Sequence, residues 1–210
     1  MPDGRFITFE GIEGCGKSTQ AKLLAQELLS RGAPVLVTRE PGGTDLGERL
    51  RGVLMARGEA ITPLAELFLM EAARAQHVER VIRPALARGD WVVCDRFADS
   101  STAYQGGGRG LGTALVEEIN RVACQGLLPD RTILLDLPVG DGLARARNRV
   151  STNAANCRFE DEDLAFHRAV AEAYRHLAAR ESARVALVDG RGAAEDVHGR
   201  VLAALAGLLP

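Results

Sequence analysis

Lysine is almost missing from this chain: Lys17 and Lys22 stand against 24 arginines. No run of 18 apolar residues occurs, so no membrane-spanning helix is expected. The four cysteines, Cys15, Cys94, Cys124 and Cys157, lie far apart and never form C-x-x-C. That excludes the common zinc and disulfide patterns and points to free thiols in a reducing compartment. The N-terminal "MPDGRFITFE" is too short and too polar ahead of its first apolar run to be a signal peptide, so a soluble cytoplasmic protein is expected. A net charge of -2 gives no general attraction to nucleic acid or to an anionic membrane, and neither is expected as a partner. Any basic site must be local.

What is present is ordinary in amount and informative in order. At 210 residues, 46% hydrophobic and 26% charged, the chain suits one well-filled domain. Five short apolar runs, "RFITFE", "PVLVTR", "WVVCD", "TILLDL" and "RVALVD", have the length of buried parallel strands, and helix-length segments separate them. This alternation predicts an α/β fold with a mostly parallel sheet flanked by helices. One helix is bounded by Thr62 as N-cap, Pro63 in the first turn and Gly89 at its end, with Pro84 as a kink point. The Gly-rich stretches "EPGGTDLG" and "YQGGGRGLG" read as loops at the edge of the core.

Between the first strand and a helical pattern lies "GIEGCGKST", Gly11, Ile12, Glu13, Gly14, Cys15, Gly16, Lys17, Ser18 and Thr19, with the G-x-x-x-x-G-K-S spacing of a phosphate loop. Glycines let backbone N–H groups turn inward around an anion, and the helix start adds the positive end of its dipole. Lys17 is expected to reach the β- and γ-phosphates of a nucleotide and Ser18 to bind Mg²⁺. With one of only two lysines at this position, chance is a poor explanation.

A magnesium site also needs a carboxylate at the end of a neighbouring strand. Asp95 of "WVVCDRF" and Asp136 of "TILLDL" both qualify, and Asp95 is preferred because Arg96 follows it with a phosphate-binding guanidinium. The variable positions of the loop carry no basic residue, so charge for a transferring phosphoryl group must come from elsewhere. "ARARNR" offers Arg145, Arg147 and Arg149; Arg145 and Arg149 share a helical face and Arg147 points away. Arginines on a mobile flap can close over a phosphoryl group in this way.

These motifs together, "FEGIEGCGKST", "TREPGGT", "AARAQH", "DRFADSSTAYQGGGRG" and the arginine-bearing segment, in this order and at these distances, resemble the bacterial thymidylate kinase family from Phe6 to about Asp189. The resemblance implies a P-loop kinase with a five-stranded parallel sheet, a mobile lid over about residues 145–160, a homodimeric state, and transfer of the ATP γ-phosphate to dTMP with Mg²⁺. It implies that Lys17, Arg96 and Arg149 are catalytic, and that Arg145 joins the loop in binding ATP. Carried over position by position, Glu13 meets the deoxyribose 3'-hydroxyl and Arg39, Arg51 and Arg96 surround the acceptor phosphate beside Glu40. Arg74, Ser101 and Gln105 read the thymine edge, and Tyr104 crowds the 2' position.

Two places depart from the family pattern. Met70 stands where an aromatic ring usually stacks on the base, and Cys157 replaces a carboxylate before Arg158. Met70 keeps open a kinase for another nucleotide or nucleoside. A P-loop ATPase or GTPase switch is the reading from another class, although no guanine-reading N-K-x-D occurs. The four histidines fall outside these motifs and carry no expected catalytic role.

Overall fold

The computed structural model describes residues 4–56, 58, 60–150 and 158–210, with the backbone alone for residues 149 and 150. All five apolar runs are strands: β1 (Phe6–Glu10), β2 (Val35–Arg39), β3 (Trp91–Asp95), β4 (Arg131–Asp136) and β5 (Val185–Asp189). They pair in the order β2-β3-β1-β4-β5, every pair parallel. Every residue of β1 is buried, because a central parallel strand is covered on both faces. The edge strands β2 and β5 instead expose Val37 and Leu187.

Helix α1 (Lys17–Ser30) connects β1 to β2. Helices α2 (Asp45–Met55), α3 (Pro63–His77) and α4 (Arg83–Ala87) fall between β2 and β3, and α5 (Ala98–Ser101) and α6 (Thr113–Ala123) between β3 and β4. Next come α7 (Val139–Val150), α8 (Leu164–Arg180) and, after β5, α9 (Ala194–Leu205). Residues of β1 alternate between two apolar clusters, as the strand repeat requires. Ile7 and Phe9 pack with Leu24, Leu28, Val170 and Tyr174, whereas Phe6 packs with Val78, Ile82, Val92 and Phe97.

The helix expected from Thr62 to Gly89 is one path with a widened middle. Val78–Ile82 forms π-helical turns between α3 and α4, just before Pro84. Pro84 has no N–H to donate, and wider turns let the chain continue where a tight helix would break. Thr62 gives no side-chain cap.

The second Gly-rich stretch, expected as a loop, is helical over residues 104–108 and a loop over 109–112. Thr102–Gly108 continues α5 as π-turns, closed by the Arg109 N–H donating to the Tyr104 carbonyl at 2.8 Å. A Cβ on Gly107 or Gly108 would meet Ala173 or Phe166 of α8 at 2.6 Å. These glycines therefore serve close helix packing, a use that composition alone does not separate from a turn. Among the described residues, no helix is long and apolar enough to cross a membrane.

Candidate active site

The strand order brings the C-terminal ends of β1 and β3 side by side, and the site forms there. After Glu10 the chain turns through Gly11, Gly14 and Gly16 at φ of 135°, 75° and 102° before α1 begins at Lys17. At Gly14 a Cβ would lie 1.9 Å from the Gly142 carbonyl oxygen, so α7 rests directly on the loop. No side chain caps α1, which leaves the positive end of its dipole for an anion. Lys17 is buried, and its Nζ donates to the carbonyls of Gly11 at 3.0 Å and Ile12 at 2.8 Å. The side chains of Ile12 and Cys15 face the core, and Thr19 is exposed on α1.

Ser18 Oγ donates to the Asp95 carboxylate across the mouth of the loop. Asp136, the alternative carboxylate, instead pairs with Arg175 at 3.0 Å. Arg96 sits at φ 73°, a left-handed conformation that costs a non-glycine residue on the order of 1 kcal/mol or more. Its own contacts hold it there: Nη2 donates to Glu13 Oε1 at 2.7 Å and to the Tyr104 hydroxyl at 3.1 Å, and Nη1 to the Gly11 carbonyl at 3.2 Å. Burial works to lower the Arg96 pKa, but Glu13 and its other neighbours outweigh it and keep the guanidinium charged. Burial pushes the Tyr104 hydroxyl well above its ordinary value, so it stays protonated and donates to Glu13 at 3.1 Å.

Glu10 lies beneath this group, fully buried. It accepts from the Phe97 N–H at 2.7 Å, Ser100 Oγ at 2.6 Å and the Tyr174 hydroxyl at 2.7 Å. Burial pushes its carboxyl up from 4.5 to about 7, with Asp99 adding to the push and Arg96 opposing it. Ser100 and Tyr174 also accept from Arg96, at 3.1 and 3.4 Å, so Glu10 supports the arginine from below. Above it opens a cavity of about 240 Å³, lined by Glu13, Gly14, Gly16, Lys17, Ser18, Arg39, Glu40, Arg51, Asp95 and Arg96.

Arg39 reaches this cavity from the end of β2, where it is largely exposed and paired with Glu48 at 3.0 Å. Arg51 of α2 donates to the Pro41 carbonyl at 3.1 Å. Glu40 is buried, accepting from Arg74 Nε at 2.8 Å and lying 3.0 Å from His77 Nδ1.

The residues expected at the base lie deeper. Arg74 is 2% exposed and bound by Glu40, Glu71, Ser101, Asn120 and the Phe97 carbonyl. Burial alone would favour its neutral form, but Glu71 and Glu40 hold it charged. Gln105 is 1% exposed and donates to Glu66 Oε1 at 2.6 Å. Met70 packs, partly buried, against the main core, and Phe68 points outward at 53% exposure. None of Met70, Arg74, Ser101, Tyr104 and Gln105 lines the 240 Å³ cavity.

Of the arginines expected over the phosphates, Arg145 donates to the Gly190 carbonyl at 3.4 Å and Arg147 is exposed on α7. The Arg149 side chain and Cys157 lie outside the described residues. Sequence reasoning missed Glu10, His77, Glu71 and Asn120. Glu10 ends an otherwise apolar strand, and His77 closes "AARAQH"; in both, a polar residue on a buried face was the available signal.

A loop that holds a cation on carbonyls, with a second cation opposite and two arginines at the rim, suits passing a phosphoryl group between two phosphate-bearing molecules. That places the chain among the P-loop phosphotransferases. More narrowly, the chain belongs to the thymidylate kinase family, whose model matches residues 9–201. It is 50% identical to a thymidylate kinase of Rhizorhabdus wittichii over 211 aligned residues, covering 100% of both chains. It is also 50% identical to the Pelobacter propionicus thymidylate kinase over 203 residues, 95% of this chain and 93% of the other. The crystal structure of thymidylate kinase from Ehrlichia chaffeensis superposes with a TM-score of 0.78 at 32% identity, covering 97% of this chain and 99% of that one.

Proposed function

We propose that this chain transfers the γ-phosphate of ATP to dTMP, giving dTDP and ADP. The observation that carries the reading is Arg96, held in a left-handed conformation between Glu13 of the phosphate loop and Tyr104. It faces a cavity that Lys17 shares. An acceptor phosphate held by Arg96, Arg39 and Arg51 would lie beside a donor phosphate held by the loop. An acceptor oxygen then attacks the γ-phosphorus as the bond to the β–γ bridging oxygen breaks, and ADP leaves with that electron pair. Lys17 and Arg96 stabilise the charge on the transferring group by position alone. Lys17 exchanges its two carbonyl partners for phosphate oxygens. Glu13 and Tyr104 set the sugar end, and Arg74, Ser101 and Gln105 form the wall behind the base. Arg145 of α7 and Arg149 are the candidates to bring further positive charge to the phosphates.

Ser18 and Asp95 suit a magnesium ion: both offer hard oxygen donors, already in contact at the mouth of the loop. Among the described residues no group of three or more His, Cys, Asp or Glu could hold a metal. Mg²⁺ characteristically takes one or two protein oxygens and fills its shell with phosphates and water. Held there, it would supply positive charge to the phosphates.

A homodimer is supported by apolar side chains exposed on three adjacent helices: Leu46 and Val53 on α2, Leu64 and Phe68 on α3, and Leu115 and Val122 on α6. The three described cysteines are buried and free, which suits the cytoplasm. ADP release measured in parallel with dTMP, dUMP, dCMP, dGMP and UMP tests the assignment. We expect turnover to need a monophosphate and to be fastest with dTMP. Preference for another acceptor would favour the reading that Met70 keeps open, and turnover with ATP alone would overturn kinase activity.

A further inference from the structure

Glu66 of α3 is fully buried and takes no part in the reaction just described. Its carboxylate is shared by three partners from two segments, the turn that Arg109 closes and the turn that begins at Arg158. Gln105 Nε2 donates to it at 2.6 Å, Arg109 Nη2 lies at 3.1 Å, and Arg158 Nη2 closes on Oε2. Arg158 belongs to the turn Arg158–Asp161 that precedes α8, and its Nε also donates to the Leu54 carbonyl at the end of α2, at 2.6 Å. The adjacent Phe159 is buried, its ring set edge-on to Tyr104 at 5.7 Å. One short turn thus touches both Glu66, the partner of Gln105, and Tyr104, the partner of Arg96.

We propose that the turn Arg158–Asp161 is a positioning element of the acceptor site, and that Glu66 is the carboxylate through which it acts on Gln105. This rests on the assignment of Gln105 to that site. A carboxylate only accepts, so Gln105 must turn its NH₂ toward Glu66 and leave its amide oxygen as an acceptor elsewhere. The orientation lasts only while Glu66 stays in place. Arg158 and Arg109 hold Glu66 as a pair; without Arg158 the carboxylate follows Arg109 alone, and the Gln105 amide turns with it. Glu66 is too deeply buried to lose a cationic partner without a rearrangement.

Calorimetric titration of dTMP without ATP, over Arg158→Ala, Gln105→Ala and the double variant, tests the coupling as a cycle. We expect Arg158→Ala to weaken dTMP binding at least about threefold. ATP binding should be unchanged, Arg158→Lys should recover part of the loss, and the effect should vanish when Gln105 is already Ala. Independent losses that multiply in the double variant would overturn the inference and leave the acceptor-site assignment intact. So would a loss confined to ATP, which would move Arg158 to the donor side. If Gln105→Ala alone leaves dTMP binding unchanged, the assignment of Gln105 fails and the inference fails with it. Should Arg158→Ala not fold, Glu66→Gln replaces it in the same cycle with the same readings.

Discussion

Lys17 rests on two carbonyls six and five residues before it in the chain, whereas Arg74 is bound by groups 3, 23, 27, 34 and 46 residues away. Both side chains are buried cations with roles in the proposed reaction. Their partners differ in kind. Lys17 holds neutral carbonyls, which in the proposed reaction it gives up for phosphate oxygens. Arg74 holds two carboxylates, a hydroxyl, an amide and a carbonyl, and nothing about it is provisional. The proposed phosphate end is a local loop, and the proposed base end is part of the protein's interior. A substitution should therefore damage function at one and stability at the other.

The largest effect should fall on Arg74. Arg74→Ala strands Glu40 and Glu71 in the interior, and removing one partner of a buried pair costs about 3–5 kcal/mol. Denaturant unfolding measures this. Arg39→Ala removes only an exposed pair with Glu48 and should cost less than about 1 kcal/mol. Similar losses for the two would erase the distinction.

At the other end, Lys17→Ala should lower kcat roughly 10²–10³-fold, the scale of one lost transition-state donor, with little change in unfolding midpoint. A folded variant with near-normal turnover would remove the loop from catalysis.

Glu10 sharpens the comparison, because it joins both regions beneath Arg96. Its folded pKa of about 7 lies above the ordinary 4.5, so the folded chain keeps a proton that the unfolded chain has released between those values. Its contribution to stability is therefore fully present below pH 4.5 and is lost as pH rises through about 7. The whole loss is on the order of 3 kcal/mol by the usual conversion. Glu10→Gln cannot titrate, so its stability relative to the parent should rise from pH 5 to pH 8. A difference independent of pH would mean that Glu10 does not change charge in that range.

Strands and phosphate loop were legible for related reasons. "WVVCD" coincides with β3, and the other four runs fall within one residue of β1, β2, β4 and β5, because covered parallel strands read as uninterrupted apolar runs. The first half of "YQGGGRGLG" misled, and its second half is the loop expected, because glycine marks both a turn and a close approach and only the presence of α8 decides which. His77 looked idle because its partners, Thr38 at 2.7 Å and Glu40 at 3.0 Å, come from 39 and 37 residues away.

By itself the sequence determined the alternation of strands and helices and the phosphate loop, since each depends on neighbours within a few positions. It also carried the family, in motifs that are contiguous. Only the tertiary structure decided that Arg96 is clasped by Glu13 and Tyr104, that Glu10 is buried beside Asp99, and that Glu66 joins Gln105 to Arg158. Burial and charge pairing depend on what packs from distant segments, and no local pattern in one chain encodes that.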